Sequence, residues 1–268
     1  MWGTVRNGLG AMLDLVLPQP CAACGLCGQP TDPLCQLCAQ RLLELVGQPY
    51  CVRCGSSLAA SDPPDPAQPP GPAGYSHDNE DGCPHCPTPM PRFDRLVRLA
   101  PYVDPLAAVI RDFKFRGLHR ARRWLGRMLA QKVLADRQLA SVQVIQPMPL
   151  YWLRHLRRGY NQSNIIARAL ADELDLPTVH ELSRVRDTPP QVGLPRRQRI
   201  ANVRGAFDVP RPRKIVGLHV LLVDDVTTTG ATAGEAAHAL LLAGAGRVSL
   251  AVLAKSDPPT RSRGPRQA

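Results

Sequence analysis

No cysteine follows Cys86: all nine in this 268-residue chain lie between Cys21 and Cys86. Thiol chemistry is therefore confined to the first third, and the rest of the chain must act without it. Nowhere is there an apolar run of about 18 residues, the length a membrane-spanning helix needs. The mild apolar stretch at residues 9–17 is broken by Asp14. It reads as a short amphipathic helix packed on the body of the protein rather than as a signal peptide. Cytoplasmic residence is the expectation, and thiols there stay reduced and open to metal. Aromatic residues make up 4% of the chain, which argues against an extended base-stacking platform for single strands. No Gly-Lys-Ser or Gly-Lys-Thr occurs, so a P-loop nucleotidase would lack its lysine.

The hydrophobic content of 44% supports an ordinary globular core. Charge divides the chain where cysteine does. Residues 1–90 carry three Lys or Arg against eight Asp or Glu, and residues 91–268 carry thirty against fourteen. The basic part is the one expected to meet phosphate, although an arginine-rich solvated surface has the same composition. The expected organisation is a cysteine-rich module over 1–90, a larger α/β domain over 91–258 and a disordered tail over 259–268.

Four Cys-x-x-Cys pairs can be drawn: Cys21 with Cys24, Cys35 with Cys38, Cys51 with Cys54, and Cys83 with Cys86. A two-residue spacer lets both thiolates of a tight knuckle face one tetrahedral ion, and two pairs close a structural site. Eight ligands predict two zinc ions. Gly25 and Gly55 follow two of the pairs, where a knuckle needs a positive φ. Cys27 is left over, although its spacing from Cys24 would also suit a ligand. The adjacent-pair spacing opposes a disulfide framework, and four copies exceed what a redox site uses. Residues 56–82, rich in Pro, Asp and Ser, are expected to be a disordered loop. His77 and His85 could substitute as ligands, but solvation is the plainer fate for each. Closed zinc sites leave no open position for chemistry, so this module reads as scaffold or docking surface.

The densest signal lies at residues 219–255. Val220, Leu221, Leu222 and Val223 predict a strand buried on both faces, followed by a helix over 231–243, glycines at 244 and 246, and a strand over 248–253. In the turn, Thr228, Thr229, Gly230, Ala231 and Thr232 are small enough to close around an anion, with helix N-terminal amides and hydroxyls as donors. Asp224 and Asp225 would repel that anion on contact but can accept hydrogen bonds from two adjacent hydroxyls one sugar-length away. Acid for hydroxyls and amides for phosphate describe ribose 5-phosphate. Leu222 to Asp225 also suits the opening of a receiver domain, but about 44 residues after Asp224 are too few to complete one.

The run from Val220 to Thr232 closely resembles the diphosphoribose-binding signature of type I phosphoribosyltransferases. That resemblance implies their fold, a mostly parallel sheet flanked by helices. It assigns the acidic pair to the ribose 2′ and 3′ hydroxyls and the loop to the 5′-phosphate. Further upstream, Arg157-Arg158-Gly159-Tyr160-Asn161-Gln162 opens a helix carrying Ile165, Ile166, Ala169, Leu170 and Leu174 at helical spacing, with Asn161 or Ser163 as cap. This run resembles the Arg-Gly-Phe-Asn-Gln hallmark of the ComF family, with Tyr160 for Phe. Thr188, Gln191, Arg199, Asn202, Ala206 and Phe207 follow in that family's order, and residues 112–117 match its Lys-Phe-x-Gly element. The similarity spans about residues 11–255, cysteine pairs included.

Membership would imply a double zinc ribbon joined to a phosphoribosyltransferase domain, 5-phosphoribosyl 1-diphosphate as ligand with Mg²⁺ carried on it, and a part in DNA uptake during natural transformation. Lys114 and Arg158 become candidate diphosphate contacts. Residues 184–204, Arg-rich and Pro-broken, read as a mobile flap whose Arg196, Arg197 or Arg199 could neutralise the diphosphate. Thr228 stands where purine-type members carry an acid, which puts nucleobase transfer in doubt. The sequence names no acceptor and leaves open a non-catalytic alternative, in which the chain binds single-stranded DNA or docks a helicase or translocation protein.

Overall fold

Residues 220–223 and 250–254 are too continuously apolar for a ribbon with one wet face, and such strands, here with 96–101 and 144–147, require cover on both sides. In the computed structural model they lie in a single four-stranded sheet. The structure describes residues 20–26, 33–58, 82–116, 119–151, 159–188 and 196–257. The strands are β1 (Leu96–Pro101), β2 (Val144–Pro147), β5 (His219–Thr227) and β6 (Arg247–Lys255), in spatial order β1-β6-β5-β2. Every pairing is parallel, with Val220 opposite both Val144 and Val248. Pro177 and Val179 bond to the main chain of Ile145 and extend the sheet beyond β2. A separate antiparallel pair joins β3 (Ser183–Arg184) to β4 (Phe207–Asp208).

Helices α2 (Leu106–Arg116), α3 (His119–Ala135) and α4 (Gln162–Leu174) belong to one face, where Leu125, Leu129, Ile166 and Leu170 pack on Leu221, Val223 and Leu253. Helix α6 (Ala231–Leu242) covers the other through Ala233, Ala236, Ala237 and Leu240, packed on Val220, Leu222, Leu250 and Val252. Asn161 caps α4, its side chain accepting from the Ser163 amide at 3.1 Å, so the cap is Asn161 and not Ser163.

Among the described residues, the cysteine-rich part has no core of its own. Leu34 and Leu42, the latter on α1 (Gln36–Val46), are buried with Cys21 in the α3–α4 core, while Tyr50 and Val52 are buried in the α6 core. Lys132 of α3 donates to the carbonyl of Val46 at 2.7 Å, and burial holds its pKa down to about 8.

One expectation is corrected, at the two ends of the expected loop. Ser56, Ser57 and Leu58, placed in the disordered loop, belong to a knuckle: Cys51 N–H donates to Ser56 O at 3.0 Å, and Ser57 bridges Tyr50. Gly82, at the far end of that loop, closes on Cys86, where a Cβ would lie 2.5 Å from the sulfur. Residues 59–81 with His77, Cys27, and the tail at 259–268 lie outside the described residues. The expected flap contains a helix, α5 (Arg196–Val203), because this stretch has no Pro or Gly and ends at Gly205, which turns with φ 65° and donates to Glu235. Arg186 binds the carbonyls of Asn202 and Arg204 and ties α5 to the strand pair.

Candidate functional site

Parallel α/β sheets collect their binding groups beyond the carboxyl ends of the strands. Here that edge carries a cavity of about 490 Å³ lined by Asp224, Val226 and Thr227 of β5, Thr228, Gly230 and the first turn of α6. Tyr102 after β1, Ser256 after β6 and Arg199 of α5 complete it. The size lies in the ordinary range for a small-molecule site.

Asp224 sits at one end. Its Oδ1 accepts from Ser163 Oγ at 2.8 Å and from the Asp225 amide at 2.9 Å, so the start of α4 is held against the end of β5. Asp225 lies next in the strand, and successive strand residues face opposite ways. It is not among the residues lining the cavity, and its Oδ1 accepts from the Val226 amide at 2.7 Å. Thus the acidic pair is adjacent in sequence, yet only Asp224 lines the cavity.

The start of α6 sits at the other end. Gly230 adopts φ 74° as its N-cap, and no side chain of the cap residue bonds the helix. A Cβ there would meet Pro91 at 3.1 Å, so glycine meets both a conformational and a packing demand. The first intrahelical amide is that of Gly234, bonded to Gly230 O at 2.7 Å. The amides before it have no intrahelical carbonyl and form the positive end of the helix dipole. The first turn holds no acidic side chain. Thr229 Oγ1 accepts from the Ala231 amide at a long 3.4 Å, and Thr229 does not line the cavity. Arg199 Nη1 donates to Thr228 Oγ1 at 3.1 Å, which puts a guanidinium over the loop. Of the remaining candidates, Lys114 lies in α2 with its side chain outside the description, and Arg158 lies outside the described residues.

Two cysteine clusters form the second functional feature: Cys21, Cys24, Cys35 and Cys38, and Cys51, Cys54, Cys83 and Cys86, each with all sulfurs within 4.8 Å of one another. A tetrahedron with metal–sulfur bonds of about 2.3 Å has sulfur–sulfur edges of about 3.8 Å. The separations are 3.8 Å for Cys24 and Cys35, 3.6 Å for Cys51 and Cys86, 3.6 Å for Cys54 and Cys83, and 3.9 Å for Cys83 and Cys86. Contact with Cys54 and Cys83 pulls the Cys51 thiol far down, and the same crowding by Cys51 and Cys54 pushes Cys83 far up. Four thiolates at this spacing require a cation among them, and structural zinc fits both clusters. His85, between two of the ligands, is exposed.

Comparison with known proteins agrees. Residues 12–68 match the double zinc ribbon domain and residues 160–266 the phosphoribosyl transferase domain. The DNA utilization protein YhgH of Salmonella typhimurium is 33% identical over 241 residues, covering 87% of this chain and 96% of that protein. Competence protein F of Haemophilus influenzae is 31% identical over 228 residues, 83% of this chain and 90% of that one. The chain belongs to the ComF family. A solved glutamine phosphoribosylpyrophosphate amidotransferase from B. subtilis aligns over 50% of this chain and 26% of its own at 24% identity, TM-score 0.35.

The zinc ribbon match ends before Cys83 and Cys86, and the geometry of the second cluster supplies them. Three residues of this ComF site escaped the sequence reading. In sequence Ser163 reads only as a helix cap, Ser256 only follows the end of a strand, and Tyr102 follows a strand that no unbroken apolar run announces. Each stands just after a strand or at the start of a helix on the carboxyl edge, so a complete strand assignment would have found Tyr102 and Ser256.

Proposed function

We propose that the cavity holds the ribose 5-phosphate part of 5-phosphoribosyl 1-diphosphate, and that the protein serves DNA uptake in natural transformation. The observation that carries the ligand is one cavity with a carboxylate at one end and, at the other, the amino end of α6, whose first turn holds no acidic side chain. Asp224 accepts from the sugar hydroxyls, and the turn from Thr228 to Thr232 receives the 5′-phosphate, with Arg199 adding positive charge. Asp225, the second residue of the resemblance, holds the Asp224 carboxylate through its backbone amide. Lys114 and Arg158 are proposed diphosphate contacts.

Mg²⁺ would travel with the diphosphate and offset its charge, with Asp224 the carboxylate of the cavity able to face it. Position 228 is a threonine under a guanidinium rather than an acid, so no group there takes a proton from a nucleobase. The DNA role is supported by the names of the relatives, competence protein F and DNA utilization protein, and by the basic balance of residues 91–268. Eight reduced thiolate ligands suit a cytoplasmic setting, and among the described residues no helix is long and apolar enough to cross a membrane.

Titration calorimetry of the intact protein with 5-phosphoribosyl 1-diphosphate tests the ligand. Mg²⁺-dependent uptake by the wild type, weakened in Asp224→Asn, is expected, and no uptake with Mg²⁺ present overturns it. The second reading, a non-catalytic protein that holds single strands or docks a translocation partner, rests on that same basic balance. It predicts single-strand affinity that falls steeply between low and moderate salt, and a flat response removes it.

A further inference from the structure

The second cysteine cluster is joined to the cavity by a short chain of bonds. Its knuckle runs through Gly55 and Ser56 to Ser57, whose amide and hydroxyl both donate to Asp257, at 3.1 and 2.6 Å. Asp257 directly follows Ser256, which lines the cavity. The Ser256 amide donates to Thr227 O at 2.9 Å, and its carbonyl accepts from Lys255 Nζ at 2.9 Å. Arg98 in the middle of β1 is 1% exposed, donates to Gly55 O at 2.7 Å and to Ser57 Oγ at 2.9 Å, and lies 3.6 Å from Asp257. Lys255, also buried, approaches the same carboxylate at 4.0 Å.

We propose that Ser57, Arg98 and Asp257 are positioning residues through which the second zinc knuckle sets the cavity wall at Ser256. Burying two cations demands compensation, and removing one partner leaves a buried charge unpaired. Burial disfavours the charge on both, and Asp257 supplies one negative charge beside them, 3.6 Å from Arg98 and 4.0 Å from Lys255. Four thiolates on one zinc ion leave a net charge of about −2, so the loaded knuckle would offset the charge of Arg98, which its Gly55 carbonyl also binds. Gly55 presses on the strand: a Cβ there would lie 2.7 Å from Leu96. Metal, knuckle, β1 and the end of β6 are thus one rigid unit, and the cavity inherits its shape from it. The consequence for ligand rests on the sugar-phosphate reading above; the geometric coupling does not.

The test compares full-length, zinc-loaded wild type with Ser57→Ala, Ser57→Thr and Asp257→Asn. Without ligand, amide hydrogen exchange at Ser256 is expected to be at least about tenfold faster in Ser57→Ala, with zinc content unchanged and exchange in β2 as in the wild type. Ser57→Thr, which keeps the hydroxyl, restores protection. Should Ser57→Ala fail to fold, Asp257→Asn carries the same comparison. Unchanged Ser256 exchange overturns the proposal, as does an equal rise in β2, which marks general loosening. Calorimetry with Mg²⁺ and 5-phosphoribosyl 1-diphosphate is then expected to show about tenfold weaker binding in Ser57→Ala, the equivalent of about 1.4 kcal/mol. Wild type that takes up no ligand removes the sugar-phosphate reading and leaves the exchange result to decide the coupling.

Discussion

Asp224 and Asp225 are chemically identical neighbours with different surroundings. Asp224 lines the cavity and accepts from Ser163, whereas Asp225 does not line it. Replacing Asp224 by Ala removes an acceptor from any bound sugar and leaves the Ser163 hydroxyl without it. Calorimetry is expected to show affinity for the diphosphate lowered about tenfold or more, since hydrogen bonds to charged groups contribute about 1.5–3 kcal/mol. Asp225→Asn keeps an oxygen for the Val226 amide and is expected to change binding by less than about threefold. Equal losses in the two variants would show that both carboxylates reach the ligand. Gly230→Ala tests the loop separately: it must hold φ 74° with a new carbon against Pro91. A loss of about 1–3 kcal/mol in denaturant unfolding is expected.

Elements differ in how openly they declare themselves in sequence. The β5–α6–β6 unit was legible because its strands are nearly unbroken apolar runs and its helix is bounded by glycines. Strand β1 was not, since Arg98 at its centre argues against a buried strand. The partners that let Arg98 stay buried, Gly55 and Asp257, lie 43 and 159 positions away, and no local pattern reports them. The phosphate turn was likewise readable as one segment, whereas Tyr102 and Ser256 reach the cavity only through the sheet order. The amino ends of β5 and β6 hide a polar cluster of the same kind. His219 is 4% exposed, with Nδ1 2.8 Å from Ser141 Oγ and Nε2 2.9 Å from Ser249 Oγ. Ser249 donates to Asp94, which also takes a bond from Arg247. With its proton committed to Asp94, Ser249 must accept from Nε2–H, and the ring is neutral with Nδ1 accepting from Ser141. Burial, then the nearby Arg247 charge, lowers the His219 pKa. The unfolded chain therefore takes up a proton near the ordinary histidine value of about 6.5 that the folded chain resists. Stability is full above that pH and is lost as pH falls below it. Urea midpoints are expected to drop from pH 7.5 to 5.5, and His219→Gln to flatten the slope.

At the scale of the whole molecule, the zinc ribbons and the phosphoribosyltransferase domain are expected to unfold together. Separate domains keep separate cores and few bonds between them. Here Leu34 and Leu42 share a core with α3 and α4, Tyr50 and Val52 share one with α6, and the amide of Leu96 in β1 donates to Val52 O at 2.6 Å. Loss of the metals would leave crowded thiols that cannot all stay ionised, and the knuckles would release both the edge of β1 and the carbonyl that binds Lys132. Buried cations would then face water or lie unpaired, and each core would lose the side chains that the cysteine-rich part contributes. Scanning calorimetry of the metal-loaded chain is expected to show one transition. A strong chelator should lower its midpoint by many degrees, because structural zinc contributes folding energy directly. Two transitions, of which only the first responds to chelator, would show that the sheet domain stands without its cysteine clusters.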